Sequence, residues 1–163
     1  MMMRFLLGLI VVDPLAIQRV SVPLLMNPSN ANNWDATIAL LNLRSFVNST
    51  LEEAKQHVGF VYHNNQPWTW APSGPGEWLQ IQGPGLVVLD GKPGEPGTVY
   101  ARKTQGRFGY VIFKDVHVVY RGGPVTLINV FFDNCTFDVQ SNGNGALLAK
   151  AIFSAPITDF QIE

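Results

Sequence analysis

Four aspartates, one histidine and two closely spaced tryptophans are the side chains of this sequence best suited to chemistry. Asp90, Asp115, Asp133 and Asp138 fall in its second half. Two carboxylates held a few ångströms apart can act as acid and base on a glycosidic bond. The commoner use of an aspartate in such surroundings is a turn or a surface ion pair. His117 lies between Val116 and Val118. It would need a nucleophile and an orienting partner to act as a general base, and the sequence identifies neither. Trp68 and Trp70 are two residues apart and share one side of an extended segment. They suit either a stacking platform for a sugar ring or the cover of a core edge, so they are the candidate carbohydrate-binding residues. No catalytic residue is identified.

The other motifs lead to structural readings. Cys135 is the single cysteine, so no intrachain disulfide forms. With no histidine or second cysteine at ligand spacing, no zinc site is expected and Cys135 reads as a small apolar side chain. Asn48-Ser49-Thr50 and Asn134-Cys135-Thr136 match the glycosylation sequon. The second lies where packing would be disrupted by a glycan. Arg121-Gly122-Gly123-Pro124 reads as a turn. Neither a phosphate-binding loop nor a dinucleotide fingerprint occurs, and no cofactor or metal is expected.

The elements that must position these residues come from an apolar chain. Of 163 residues, 47% are hydrophobic and 14% charged, with a formal net charge of -1. That length suits one domain with a real core. Lysines and arginines are scattered, which gives no electrostatic footprint for nucleic acid.

Residues 1–26 form an apolar N-terminal segment. Arg4 precedes a run from Phe5 to Val12, which Asp13-Pro14 interrupts. The stretch from Phe5 to Met26 is long enough to span a bilayer. Asp13, Gln18 and Arg19 oppose that, and Pro14 would bend a helix there. The alternatives are a membrane anchor or uncleaved signal, a buried helix, and a cleaved signal. Membrane association is favoured over a soluble cytoplasmic location.

Residues 27–85 read as a flanking region. A polar linker at 27–33 leads to a helical pattern from Trp34 to Val58, carried by Ile38, Leu41, Leu43, Phe46, Val47, Leu51, Ala54 and Val58. A break is expected near Asn48-Ser49, where Ser49 and Glu52 have capping-box spacing. The prolines and glycines from Gly59 to Gly85 predict an irregular course.

Residues 86–163 carry the strand signals and an internal repeat. Ile112-Phe113-Lys114-Asp115-Val116-His117-Val118 matches Phe131-Phe132-Asp133-Asn134-Cys135-Thr136-Phe137 at a spacing of 19 residues. Apolar positions coincide at 112/131, 113/132, 116/135 and 118/137, and Asp115 coincides with Asn134. Val87 to Gly91 matches Val118 to Gly122 at a spacing of 31, with a Gly/Pro-rich insert at 91–97 accounting for the difference. A period near 20 residues is the mark of stacked units that bury like on like. This register sets Lys114 beside Asp133 as a surface ion pair and points His117 outward. The apolar run from Gly143 to Ala155, stopped by Pro156, predicts a C-terminal capping helix.

These patterns resemble the right-handed parallel β-helix, of the broad kind found in pectate lyases and in short bacterial proteins. The resemblance covers about a third of the chain and implies architecture without a catalytic signature. The fold expected is therefore mainly β: a short parallel β-helix or solenoid with N-terminal helical segments and a C-terminal capping helix. The function expected is a non-enzymatic structural or protein-interaction domain, held at a membrane by its N-terminus. Its partner would be another protein or a second copy, with no nucleic acid. The alternative is a protein that binds or cleaves carbohydrate through Trp68 and Trp70.

Overall fold

The computed structural model describes residues 13–48, 58–63, 78–91, 104–105 and 110–163, and among these are three helices and nine strands. The helices are α1 (Pro14–Leu25), α2 (Ala31–Asn48) and α3 (Gly143–Ser154). The strands are β1 (Val58–His63), β2 (Trp78–Gln82), β3 (Leu86–Val88), β4 (Thr104–Gln105), β5 (Tyr110–Lys114), β6 (His117–Tyr120), β7 (Val125–Asp133), β8 (Thr136–Val139) and β9 (Ile157–Ile162).

The strands form two small sheets. In the larger, parallel strands run in the order β1-β2-β5-β7-β4, and β9 pairs antiparallel with β7. The smaller is β3-β6-β8, all parallel. The pairing register follows the internal repeat: Ile112 lies beside Phe131, Phe113 beside Phe132, and Val118 beside Phe137. Val87 lies beside Val118. Like residues stack because neighbouring parallel strands present the same face at each position. Phe113 stacks on Phe132 with ring centroids 5.7 Å apart, and Phe132 meets Phe137 edge-on at 5.3 Å, which ties the larger sheet to the smaller.

The corners between sheets are built by short polar residues in the left-handed region. Asp115 (φ 55°) and Asn134 (φ 50°) occupy equivalent positions, and Asn134 Nδ2 donates to Asp115 Oδ1 at 2.9 Å. Asparagine and aspartate tolerate this conformation better than other side chains. Gly83 holds the neighbouring corner, where its N–H donates to Lys114 O at 2.7 Å. A Cβ there would lie 1.8 Å from Asp115 O, so only glycine fits.

The expectation of a mainly β solenoid is overturned: the fold is mixed α/β. Helices of 12, 18 and 12 residues supply Ile17, Trp34, Leu41, Leu148, Ala149, Ile152 and Phe153 to the same buried cluster as the strands. They are a layer of the core rather than caps on a stack of coils. The larger sheet also ends in an antiparallel strand, which a parallel β-helix would not have. The likeness to pectate-lyase architecture therefore does not extend beyond the pairing register.

Several element expectations change with it. The stretch from Gly59 to Gly85 contains β1 and β2 where an irregular course was expected. Gly59 falls at a register shift within β1, Gly83, Pro84 and Gly85 follow β2, and Ile81 of β2 is fully buried. Strand β9 follows Pro156, where no element was expected. Pro14 does not bend a helix but starts one: Asp13 is extended and its carboxylate accepts from Leu15 N at 2.9 Å. Proline at the first helical position loses no hydrogen bond. The described helix therefore begins at Pro14, and no helix among the described residues is long and apolar enough to cross a membrane.

Helix α2 buries polar side chains together with its apolar ones, Trp34 and Leu41 in the core and Ile38, Leu40, Leu43 and Val47 packed against it. Trp34, Thr37, Leu41, Arg44, Ser45 and Asn48 point inward, whereas Phe46 is exposed. The reason is the outer edge of β8 and of the corner leading into it, whose backbone groups have no further strand to pair with among the described residues. Trp34 Nε1 donates to Val139 O at 2.8 Å, and Asn42 Oδ1 accepts from Phe137 N at 2.9 Å. Ser45 Oγ accepts from Cys135 N at 2.8 Å and donates to Phe132 O at 3.0 Å, while Ser45 O accepts from Asn134 N. Asn48 Nδ2 also donates to Phe132 O at 2.9 Å.

Ser45→Ala leaves the buried Cys135 N–H without its acceptor, which costs about 1 to 3 kcal/mol of stability. Urea unfolding measures it, and a loss below about half a kcal/mol would show that α2 does not carry this edge.

Candidate functional site

The carboxylates are dispersed and each has local work. Asp90, buried at one corner of the fold, accepts from Arg121 N at 3.2 Å and from Gly123 N at 2.8 Å. Arg121 Nε lies 4.0 Å from its Oδ1. A Cβ on Gly123 would come within 2.8 Å of Asp90 Oδ2, so glycine admits the carboxylate to the turn. Asp115 is exposed and takes hydrogen bonds from Asn134 and from Gln82 Nε2, the latter at 2.9 Å. Gln80 Nε2 donates to Gln82 Oε1, which extends this polar row across the outer face of the larger sheet. Asp138 is exposed on β8.

Asp133 differs from expectation. It is Lys114's register partner on β5 and β7, as the repeat implies, but at 4% exposure it is buried and does not lie on the surface. His117 is exposed, and its Nδ1 lies 2.8 Å from Thr136 Oγ1. The two form a rung of the ladder between β6 and β8, with no arrangement around them that would activate the hydroxyl. Among the described residues no three histidines, cysteines, aspartates or glutamates converge as metal ligands. Trp68 and Trp70, the candidate carbohydrate-binding residues, lie outside the described residues, as does most of the 91–97 insert.

The sequons are occupied by structure. Asn48 is buried and bonded to Phe132 O. Asn134 forms a corner of the fold. Cys135 is buried, with Sγ donating to Phe113 O at 3.1 Å, and burial pushes its thiol up to about 12. A thiol held neutral in this way is a poor nucleophile.

Two features were not apparent as sites from the sequence. The first is Arg44, buried at 1% exposure on α2. Its Nη1 donates to Asn48 Oδ1, its Nε has no hydrogen-bond partner among the described residues, and burial lowers its pKa. The signal was its spacing from Leu41 and Asn48, which puts all three on one helical face. The charge is a structural burden on the helix–sheet contact, since nothing opens it to a ligand.

The second is the outward face of α1. Ile17 and Ser21 point into the domain, and Ser21 Oγ donates to Gln18 O. The opposite side carries Leu15, Ala16, Arg19, Val20, Val22, Pro23 and, at the cap, Met26, all exposed. Leu15, Val20 and Val22 are each more than half exposed and Met26 is 81% exposed. A helix on the surface of a soluble domain ordinarily turns polar residues outward. Here Arg19 is the one polar group on the face. Large contiguous apolar exposure of this kind marks a contact surface.

Tyr120 tests the Asp90 corner. Burial first and the Asp90 carboxylate second raise its phenol from 10.0 to about 12. The neutral phenol is favoured in the folded state, so its contribution to stability is complete below pH 10 and is lost as pH rises through about 12. Ultraviolet titration of the wild type against Tyr120→Phe should place the missing ionisation near 12. Asp90→Asn should lower it only partway, and a midpoint of 10 in the wild type would refute the assignment.

No protein-family model, curated protein or solved structure matches the chain, so its function is argued from this geometry.

Proposed function

We propose that this chain is a non-enzymatic interaction domain held at a membrane by its N-terminal region. The observation that carries the reading is the outward face of α1, apolar except for Arg19 and following directly on the apolar stretch from Met1 to Val12. A second support is the use made of the reactive side chains. Asp90 and Ser45 hold backbone amides, Asp115 holds the amides of Asn134 and Gln82, and Cys135 is a buried neutral thiol. Groups bound in this way serve the fold, and a neutral buried thiol is a poor nucleophile.

On cell fractionation the full chain is expected in the membrane pellet. A monodisperse full chain recovered wholly in the soluble fraction would overturn the reading. Glycan-array binding that Trp70→Ala abolishes would replace it with a carbohydrate-binding one.

A further inference from the structure

We infer that the chain attaches to the membrane in plane, through the outward face of α1 lying in the headgroup region of an anionic bilayer, with Arg19 on lipid phosphates. The inference rests on the membrane-held reading above and specifies which surface is held and by what.

The geometry begins with the inward face. Ile17 and Ser21 are buried, and Leu25 packs against the common core. Helix α1 is therefore part of the folded domain and cannot leave it to stand across a bilayer. With 12 residues it is about 18 Å long, against about 30 Å of hydrocarbon. An axis pinned to the domain presents the outward face side-on, which is the attitude of an interfacial helix.

The occupant of that face follows from what surrounds it in sequence. Residues Met1 to Val12 are apolar apart from Arg4. A sequence this apolar beside an exposed apolar helix face suits lipid as the common surroundings of both. A second copy is the weaker occupant. A two-fold contact would set Arg19 near its own copy. Charge agrees with lipid: from Met1 to Trp34 the basic residues are Arg4 and Arg19, and Asp13 is the acidic one. Asp13 is occupied as the helix cap. Arginine can lay its stem along apolar surface and extend its guanidinium to the headgroups.

The experiment is sedimentation of the full chain with vesicles of phosphatidylcholine alone and of phosphatidylcholine with 30% phosphatidylserine (an assay composition of about that proportion gives a negative surface). The full chain should bind both and prefer the anionic vesicles, and high salt should remove the preference while leaving the binding. Val22→Asp should lower binding to both at least tenfold, since it puts a charge where an apolar side chain enters. Arg19→Gln should lower only the anionic preference, by about fivefold. These side chains are exposed, and an unchanged thermal midpoint checks that each variant folds. An environment-sensitive dye on Val22→Cys gives a reading that needs no disruptive charge. Cys135, buried and held neutral, should not compete for it. The dye's emission should shift to the blue on vesicles.

Vesicle binding unaffected by Val22→Asp, with no shift at position 22, would overturn the inference while leaving the membrane-held reading standing through residues 1–12. A lipid-free dimer that Val22→Asp dissociates would overturn it in favour of a second copy. Absence of binding to either vesicle would overturn it too, and fractionation then decides whether the broader reading survives.

Discussion

The outer edge of β8 is the constraint on which the fold depends. A parallel strand at the end of a sheet has backbone donors and acceptors on one side with nothing to pair, and each costs energy if buried unpaired. Here the edge is buried, and α2 supplies the partners: at β8 the Trp34 indole and the Asn42 amide, and along the run from Phe132 to Cys135 that leads into it the Ser45 hydroxyl and carbonyl and the Asn48 amide. Each side chain meets a specific backbone atom, so the helix can dock in one register only. That accounts for a helix that hides Thr37, Ser45 and Asn48 while leaving Phe46 exposed. The larger sheet solves the same problem differently, by pairing β7 with antiparallel β9.

Once that side is closed, the two sheets are held by repetition. Positions one register apart carry similar side chains, so Val118 with Phe137 and Phe113 with Phe132 pack without alternation of size or polarity. The corners repeat as well. Asp115 and Asn134 both adopt the left-handed conformation and bond to each other. Farther along, Asp90 fixes the turn at Arg121–Gly123, and Asn144 Nδ2 donates to Gly122 O. These polar ladders use the side chains that at first suggest catalysis. An aspartate bonded to two amides at a corner is serving as a backbone substitute.

What could be read from the sequence was the pairing register, because it rests on like residues at fixed spacing and needs no knowledge of the rest of the fold. The architecture could not be read the same way. Period alone does not say whether neighbouring helices stand at the ends of a stack or form a layer of its core, and the latter is the case for Leu41, Leu148 and Phe153. Strands β1 and β2 were masked by nearby prolines and glycines, whose effect is local. Strand β9 was missed because an antiparallel partner has no counterpart in a parallel repeat. On α2 the apolar pattern was incomplete for a physical reason. A helix that closes a sheet edge selects hydrogen-bonding side chains on its buried face, which reverses the usual rule.

The same reversal separates α1 from its neighbour. Helix α2 turns polar groups inward because a sheet edge needs them, and Ser45 and Asn48 find their partners within the domain. Helix α1 meets other helices, where no open backbone needs partners, and its inward Ile17 is ordinary core. Its outward side is what lacks explanation within the fold: Leu15, Val20, Val22 and Met26 stand exposed beside a single arginine. Exposed apolar groups in water gain nothing for the folded state, and a surface composed of them is stabilised only by something that removes the water. Elsewhere among the described residues the large exposed apolar side chains, Phe46, Leu86 and Leu147, stand one to an element, whereas α1 and its cap carry four.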